Sequence, residues 1–148
     1  MNIICWNVNG LRANVKKGSF DWFLQQSPDF FCLQETKVHP EQLEDGIRNP
    51  LGYYSYFDHS KEKKGYSGVA IYTKHKPDKV DYAIGTHVLD QEGRFIALFY
   101  EDTSLLGVKF ILITCYFPNG GGGPERLDFK MRFYAEFLNY INKKRKAG

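Results

Sequence analysis

The sequence is short of several features that would restrict its class at once. It has three cysteines in 148 residues, Cys5, Cys32 and Cys115, and no C-x-x-C pair. Each sits in an apolar, strand-like run, so they read as buried thiols rather than as a disulfide framework or a zinc site. That usage suits a reducing compartment, and a cytoplasmic protein is expected. No apolar run approaches the roughly 20 residues of a membrane span, and the first residues lack the basic and long apolar regions of a secretory signal. The four histidines, His39, His59, His75 and His87, lie in polar stretches without metal-ligand spacing and are expected at the surface. No internal repeat or low-complexity linker appears, so residues 1–148 are expected to form a single domain.

Excess charge is scarce as well. The net formal charge is +3, and it is unevenly placed. Residues 125–148 hold seven basic and three acidic side chains, a net of +4, which leaves −1 for residues 1–124. The run Lys143-Lys144-Arg145-Lys146 reads as a solvated helix end whose cations complement the macrodipole, ahead of a nucleic-acid-binding tail. What remains is an ordinary globular composition, 43% hydrophobic and 25% charged. A chain of about 150 residues buries roughly 68–70% of its unfolded surface, enough for a real core.

Short apolar runs alternate with a few helical stretches. Strands are predicted over Asn2–Val8, Phe30–Gln34, Tyr53–Asp58, Val69–Thr73, Val80–Ile84, Arg94–Tyr100 and Lys109–Tyr116. Ser19 is a candidate cap for a short helix with Phe20, Phe23 and Leu24 on one face, and Pro40 suits the first turn of another. Leu127, Met131, Tyr134, Leu138 and Ile141 repeat every three or four residues, which predicts an amphipathic helix over Arg126–Arg145 with that stripe against a sheet. Strands outnumber helices and are joined mostly by short turns, so a layered α/β fold is expected, its sheet mixed or mainly antiparallel and its helices packed on one face.

Two residues at strand ends carry the first chemistry. Asn7 and Glu35 each close a predicted buried strand, where an ionised carboxylate is costly unless it is paired or bound to a cation. A hard cation such as Mg²⁺ takes oxygen ligands, typically one or two carboxylates with water and substrate phosphate. The plainer alternative is a strand-end Glu35 paired with Lys37 and an Asn7 that closes a turn. Tyr116-Phe117-Pro118-Asn119 is the second group: Pro118 ends strand pairing, so a phenol and an amide can project from the sheet rim. Gly120-Gly121-Gly122-Gly123 reads as a flexible loop feeding the long helix, since no G-K-[ST] follows it. Gly65-Tyr66-Ser67-Gly68, preceded by Lys61, Lys63 and Lys64, is either a solvated hairpin or a phosphate-contacting one. Asn9-Gly10-Leu11-Arg12 is likewise a turn by its chemistry, or a turn that presents Arg12.

Taken together, W-N-V-N-G-L-R-A at Trp6–Ala13, L-Q-E-T-K at Leu33–Lys37, G-Y-S-G-V-A at Gly65–Ala70, Y-F-P-N-G at Tyr116–Gly120 and R-L-D-F-K at Arg126–Lys130 stand in the order of one known group. They resemble the exodeoxyribonuclease III and AP endonuclease family of DNA repair nucleases, within the endonuclease/exonuclease/phosphatase superfamily. The resemblance covers essentially the whole chain. It implies a DNase I-like, four-layered α/β sandwich with its active site at the seam of two sheets. It also implies Mg²⁺ as cofactor, with Mn²⁺ a plausible substitute, held by Glu35 and Asn7. Tyr116 would face the scissile phosphate. Asn9, Arg12, Lys37, Gly65, Tyr66, Ser67, Asn119 and Arg126 would contact double-stranded DNA carrying an abasic site or a 3′ end. The implied reaction is phosphodiester hydrolysis 5′ to abasic sites and at 3′ ends.

The resemblance also defines what to look for and not find. The family carries a G-D-x-N motif whose Asp activates water, a later Asp, and a terminal Asp-His pair. None of these occurs in the 148 residues. The expectation is therefore about the N-terminal half of a sandwich, inactive alone, with an exposed sheet face that calls for a complementary C-terminal chain or a dimer partner. Two readings of other classes stand beside it: a non-catalytic module binding DNA or a partner, and a related metal-dependent phosphoesterase.

Overall fold

The computed structural model describes residues 1–147. It contains two sheets. The first is mixed and four-stranded, built from β1 (Ile3–Asn7), β2 (Phe30–Gln34), β3 (Tyr54–Asp58) and β4 (Val69–Thr73) in the order β1-β2-β4-β3. β1 and β2 run parallel, and β4 pairs antiparallel with β2 and β3. The second sheet is antiparallel, with β5 (Lys79–Asp81), β6 (Phe95–Tyr100) and β7 (Phe110–Cys115) in that order. The helices are α1 (Leu11–Lys16), α2 (Ser19–Gln26), α3 (Asp45–Arg48), α4 (His87–Asp90) and α5 (Pro124–Ala147), with a 3₁₀ turn at Pro40–Gln42.

Strand alternation sorts the core into layers, because successive side chains point to opposite faces. Phe31 and Leu33 of β2, with Ala70 and Tyr72 of β4, pack under Leu11 of α1 and Phe20 and Phe23 of α2. The alternate residues Phe30, Cys32, Val69 and Ile71 face Ile96, Leu98 and Tyr100 of β6. The opposite face of β6, Phe95, Ala97 and Phe99, meets Phe133 and Tyr140 of α5. The order is helix, sheet, sheet, helix: four layers within one chain. The expectation of one sheet with helices on one face, and of a sheet face left bare, does not hold, since the two sheets bury those faces against each other. Each sheet has two edge strands, β1 and β3 in the first and β5 and β7 in the second, and the edges that bound a shared cleft are β1 and β7. Between those edges runs a cleft of about 540 Å³ lined by Cys5, Asn7, Gln34, Thr114, Tyr116 and Phe117 among others.

The long helix is rotated from its predicted face. Phe133 and Tyr140 are buried, and Phe129, Phe137 and Ile141 pack beside them, whereas Leu127, Met131, Tyr134 and Leu138 are exposed. α5 carries apolar residues on two faces, and the larger aromatic set takes the sheet, because rings bury the most area. Two short helices escaped the sequence. The Asn9–Arg12 segment turns only as far as Gly10, whose φ is +109°, and Leu11 already begins α1. Ser19 is the first residue of α2 rather than its cap, the cap position being held by Gly18. Three histidines are half-buried rather than exposed: His75 pairs with Asp29 at 3.3 Å, and the His39 and His59 rings lie 4.0 Å apart. No helix among the described residues is long and apolar enough to cross a membrane.

Candidate active site

The parallel pairing of β1 with β2 sets Asn7 opposite Gln34, so both strands end at the same side of the sheet. Four loops knit together there by backbone bonds. Gly10 N–H donates to Glu35 O at 2.7 Å, Leu11 N–H to Thr36 O at 2.9 Å, Lys37 N–H to Ser67 O at 2.8 Å and Gly68 N–H to Gly93 O at 3.1 Å. Asn9, Glu35, Lys37 and Ser67, none of them glycine, all take positive φ between 43° and 52° in these loops. Left-handed backbone at such residues costs about 1–3 kcal/mol each and gathers at sites where side chains must be aimed.

Glu35 is at the centre. Its carboxylate is 18% exposed, and its two oxygens are separately engaged. The Asn7 side-chain N–H donates to Oε1 at 2.7 Å, and the Lys37 ammonium lies 3.2 Å from Oε2. Burial pushes the Glu35 carboxyl up, but hydrogen bonds from Asn7, Lys37 and Tyr116 outweigh it and hold it below the ordinary glutamate value. Tyr116, one residue beyond β7 of the second sheet, lies near enough to that carboxylate to contribute to its lowered value. It is held above its ordinary value by burial first and then by its bond to Glu35. The cluster thus draws on both sheets, at the mouth of the β1/β7 cleft.

The other predicted residues divide. Asn9 accepts a hydrogen bond from the Lys37 ammonium, so it stands beside Glu35. Arg12 is exposed on the first turn of α1, and Asn119 is exposed beyond Tyr116. Gly65 is exposed, but Ser67 is only 1% exposed and its hydroxyl has no partner, so the hairpin does not present it at the surface. Of the lysines before the hairpin, Lys61 pairs with Asp58, and the Lys63 ammonium lies 5.2 Å from the Tyr66 ring centroid. Arg126 is paired in bidentate fashion with Glu92, at 2.7 and 2.9 Å, and donates to the Tyr66 phenol at 3.0 Å. Sequence reasoning passed over Glu92 and Arg94, which underlie Tyr66 and Tyr116. The available signal was an arginine opening the fully apolar run of β6, where a charge needs a partner.

The donor set is one carboxylate and one amide with an ammonium beside them. Among the described residues no three His, Cys, Asp or Glu side chains gather as a metal cage. A single ionised carboxylate with the Asn7 amide beside it still fits a Mg²⁺ ion, which takes few protein ligands and completes its shell with water and phosphate. Glu35 would hold it, with Asn7 alongside.

Two sheets packed face to face between helices, with a carboxylate, an amide and a phenol meeting at their shared end, define an α/β sandwich of the DNase I-like phosphoesterase class. Residues 4–148 match the Endonuclease/Exonuclease/phosphatase family, and the chain belongs to it. It is 41% identical over 142 residues to the DNA repair nuclease APEX1 of Danio rerio, covering 95% of this chain and 44% of that one. It is 40% identical over 142 residues to an exodeoxyribonuclease of Bacillus subtilis, covering 95% and 52%. Among solved structures, the APE2 catalytic domain of Xenopus laevis superposes with a TM-score of 0.82 at 30% identity, over all of this chain and 55% of that one. An AP endonuclease from Archaeoglobus fulgidus gives 0.76 at 26% identity, over 97% and 51%. The chain spans about half the length of these relatives.

Proposed function

We propose that this chain supplies the metal-holding side of a DNA phosphodiesterase site that cuts 5′ to abasic sites and at 3′ ends. The observation that carries the reading is the meeting of Asn7, Glu35 and Tyr116 from two sheets at one loop cluster. The names of the relatives, a DNA repair nuclease and an exodeoxyribonuclease, support the substrate class. Bound at Glu35, Mg²⁺ or Mn²⁺ would supply Lewis-acid stabilisation of phosphate oxygens. Asn7 holds the Glu35 carboxylate in place, and Lys37 keeps it ionised until a metal ion displaces or shares that partner. Tyr116, beside that carboxylate, gives a hydrogen bond to a phosphate oxygen. Arg12, Lys37, Asn119 and the Gly65–Tyr66 turn follow the DNA backbone with Asn9, and Ser67 and Arg126 support that turn from beneath.

The water-activating groups come from polypeptide packed on the open edges of β1 and β7. A complementary C-terminal chain suits the cleft between them, and a second copy of this chain is the other candidate. On this reading residues 1–148 are an incomplete domain with little activity alone, because loss of a general base forfeits about 10²–10⁴-fold in rate. The three free thiols, of which Cys32 is buried, Cys115 half-buried and Cys5 exposed where burial was expected, suit a reducing compartment, the cytoplasm.

The test compares substrates. The full-length protein with Mg²⁺ should incise duplex DNA carrying an abasic site and leave soluble phosphoinositides and sugar phosphates intact. The reverse preference would transfer the site to a different phosphoesterase. Binding of the duplex without incision by the full-length protein would leave a DNA-binding module.

A further inference from the structure

Glu92, in the turn before β6, joins two arginines from different elements. Its Oε2 accepts from Arg94 Nε at 2.6 Å and from Arg126 at 2.9 Å, and its Oε1 accepts from Arg126 at 2.7 Å. The Arg94 side chain is 2% exposed, and all three of its nitrogens are used. A second nitrogen donates to the Tyr116 carbonyl at 2.9 Å, and the third donates to the Tyr66 phenol at 3.1 Å. That phenol also accepts from Arg126 at 3.0 Å. One face of the Arg94 guanidinium lies under the Tyr116 ring, 4.6 Å from its centroid.

A planar fork bound along every edge and stacked on one face has a single position available to it. Tyr116 is therefore held at its backbone and ring by Arg94. The two guanidiniums converge on one phenol oxygen, and two like charges so close are tolerable only with the Glu92 carboxylate between them. Take that carboxylate away and Arg94 has both a reason to move and the freedom to do so.

We propose that Glu92 is a positioning residue: by pairing Arg94 with Arg126 it fixes the guanidinium on which the Tyr116 ring rests, and so sets where the phenol meets a phosphate. The same carboxylate ties the Tyr66 turn to the Tyr116 loop, so the DNA-facing rim and the reacting centre share one support. This rests on the assignment of Tyr116 in the proposed function.

The test uses the full-length protein with ring-¹³C tyrosine, the Tyr116 resonance being identified by its loss in Tyr116→Phe. In Glu92→Ala that resonance should move toward its position in Arg94→Met, while the remote buried Tyr72 keeps its own. Turnover on an abasic duplex should fall about 10–100-fold with KM little changed, the scale expected of a misplacement of about 1 Å. Glu92→Gln, which keeps the shape, gives the same reading should Glu92→Ala not fold. An unmoved Tyr116 resonance beside a native Tyr72 overturns the proposal. So does a moved resonance with unchanged turnover while Tyr116→Phe is impaired. If Tyr116→Phe itself turns over normally, the assignment of Tyr116 fails, and a moved resonance still supports the clamp.

Discussion

The Asn7 amide donates to Glu35 Oε1 at 2.7 Å across the parallel pair β1 and β2, which leaves Oε2 to Lys37 at 3.2 Å. The carboxylate thus already has a cation partner in the protein, one that a metal ion must displace or share. Lys37→Met should tighten Mn²⁺ binding by up to about fivefold, the worth of a partly exposed ion pair of about 0.2–1 kcal/mol. It should also weaken duplex binding and lower its salt slope by about one. Calorimetry with Mn²⁺ and a salt titration of DNA binding read both. Weaker Mn²⁺ binding in the variant would mean that Lys37 supports the metal site and does not compete with it.

The rotation of α5 predicts opposite outcomes on its two apolar faces. Phe133 is buried, with Phe117 at 5.9 Å between ring centroids, so Phe133→Ala should cost about 3–5 kcal/mol. Leu138 is 59% exposed, and Leu138→Ser should fall within about 0.5 kcal/mol of the parent. Urea unfolding distinguishes them. A large cost at Leu138 would mean that polypeptide packed on that outer face covers it in solution.

Gly93 belongs to the loop cluster through its carbonyl, and it has no room for a side chain. Its φ is +61°, and a Cβ there would lie 2.1 Å from the His59 carbonyl carbon. Gly93→Ala should therefore cost about 1–3 kcal/mol from backbone strain and about 1–3 kcal/mol from overpacking. Gly121→Ala, in open space, should not reproduce it. Thermal unfolding of the two variants checks this, and equal melting temperatures would contradict the close packing of Gly93 on His59.

Glu92 also predicts a pH dependence. Burial raises its carboxyl, but hydrogen bonds and charge from Arg126 and Arg94 prevail, so it sits below the ordinary glutamate value. A depressed carboxyl stabilises the fold fully above its unfolded value, about 4.3, and that contribution is lost as pH falls through the lower folded value. Glu92→Gln should destabilise at pH 7, toward the lower end of about 3–5 kcal/mol because Glu92 keeps 17% exposure. The difference from the parent should shrink below about pH 4. A difference that stays constant from pH 7 to pH 3 would deny the ion pairs.

Much of the fold was legible because its strands are short and apolar: Phe30–Gln34 and Val69–Thr73 coincide with their predicted bounds. The single-sheet expectation failed because strand periodicity says which residues share a face but not which sheet that face meets. α1 and α4, at six and four residues, are too short to show a helical period. The α5 face was misread because Leu127, Met131, Tyr134 and Leu138 repeat as regularly as Phe129, Phe133 and Phe137. In the candidate site, Asn7, Glu35 and Tyr116 were singled out by the motif strings around them, since a strand-end position alone suits a paired Glu, a turn Asn or a surface Tyr equally well. Glu92 and Arg94 did not, because a charge pair two residues apart beside a glycine looks like any solvated turn until its burial is known.

In the proposed function the Glu35 carboxylate holds the catalytic metal. The direct measurement is metal-dependent incision of an abasic duplex by the full-length protein, titrated with Mg²⁺ in parent and Glu35→Gln forms. Glu35→Gln keeps the shape and removes the charge. If Glu35 holds the metal, incision falls by at least about 10²-fold and the Mg²⁺ needed for half-maximal rate rises well above the parent's. Parent-like incision by Glu35→Gln at the same Mg²⁺ concentration would contradict it.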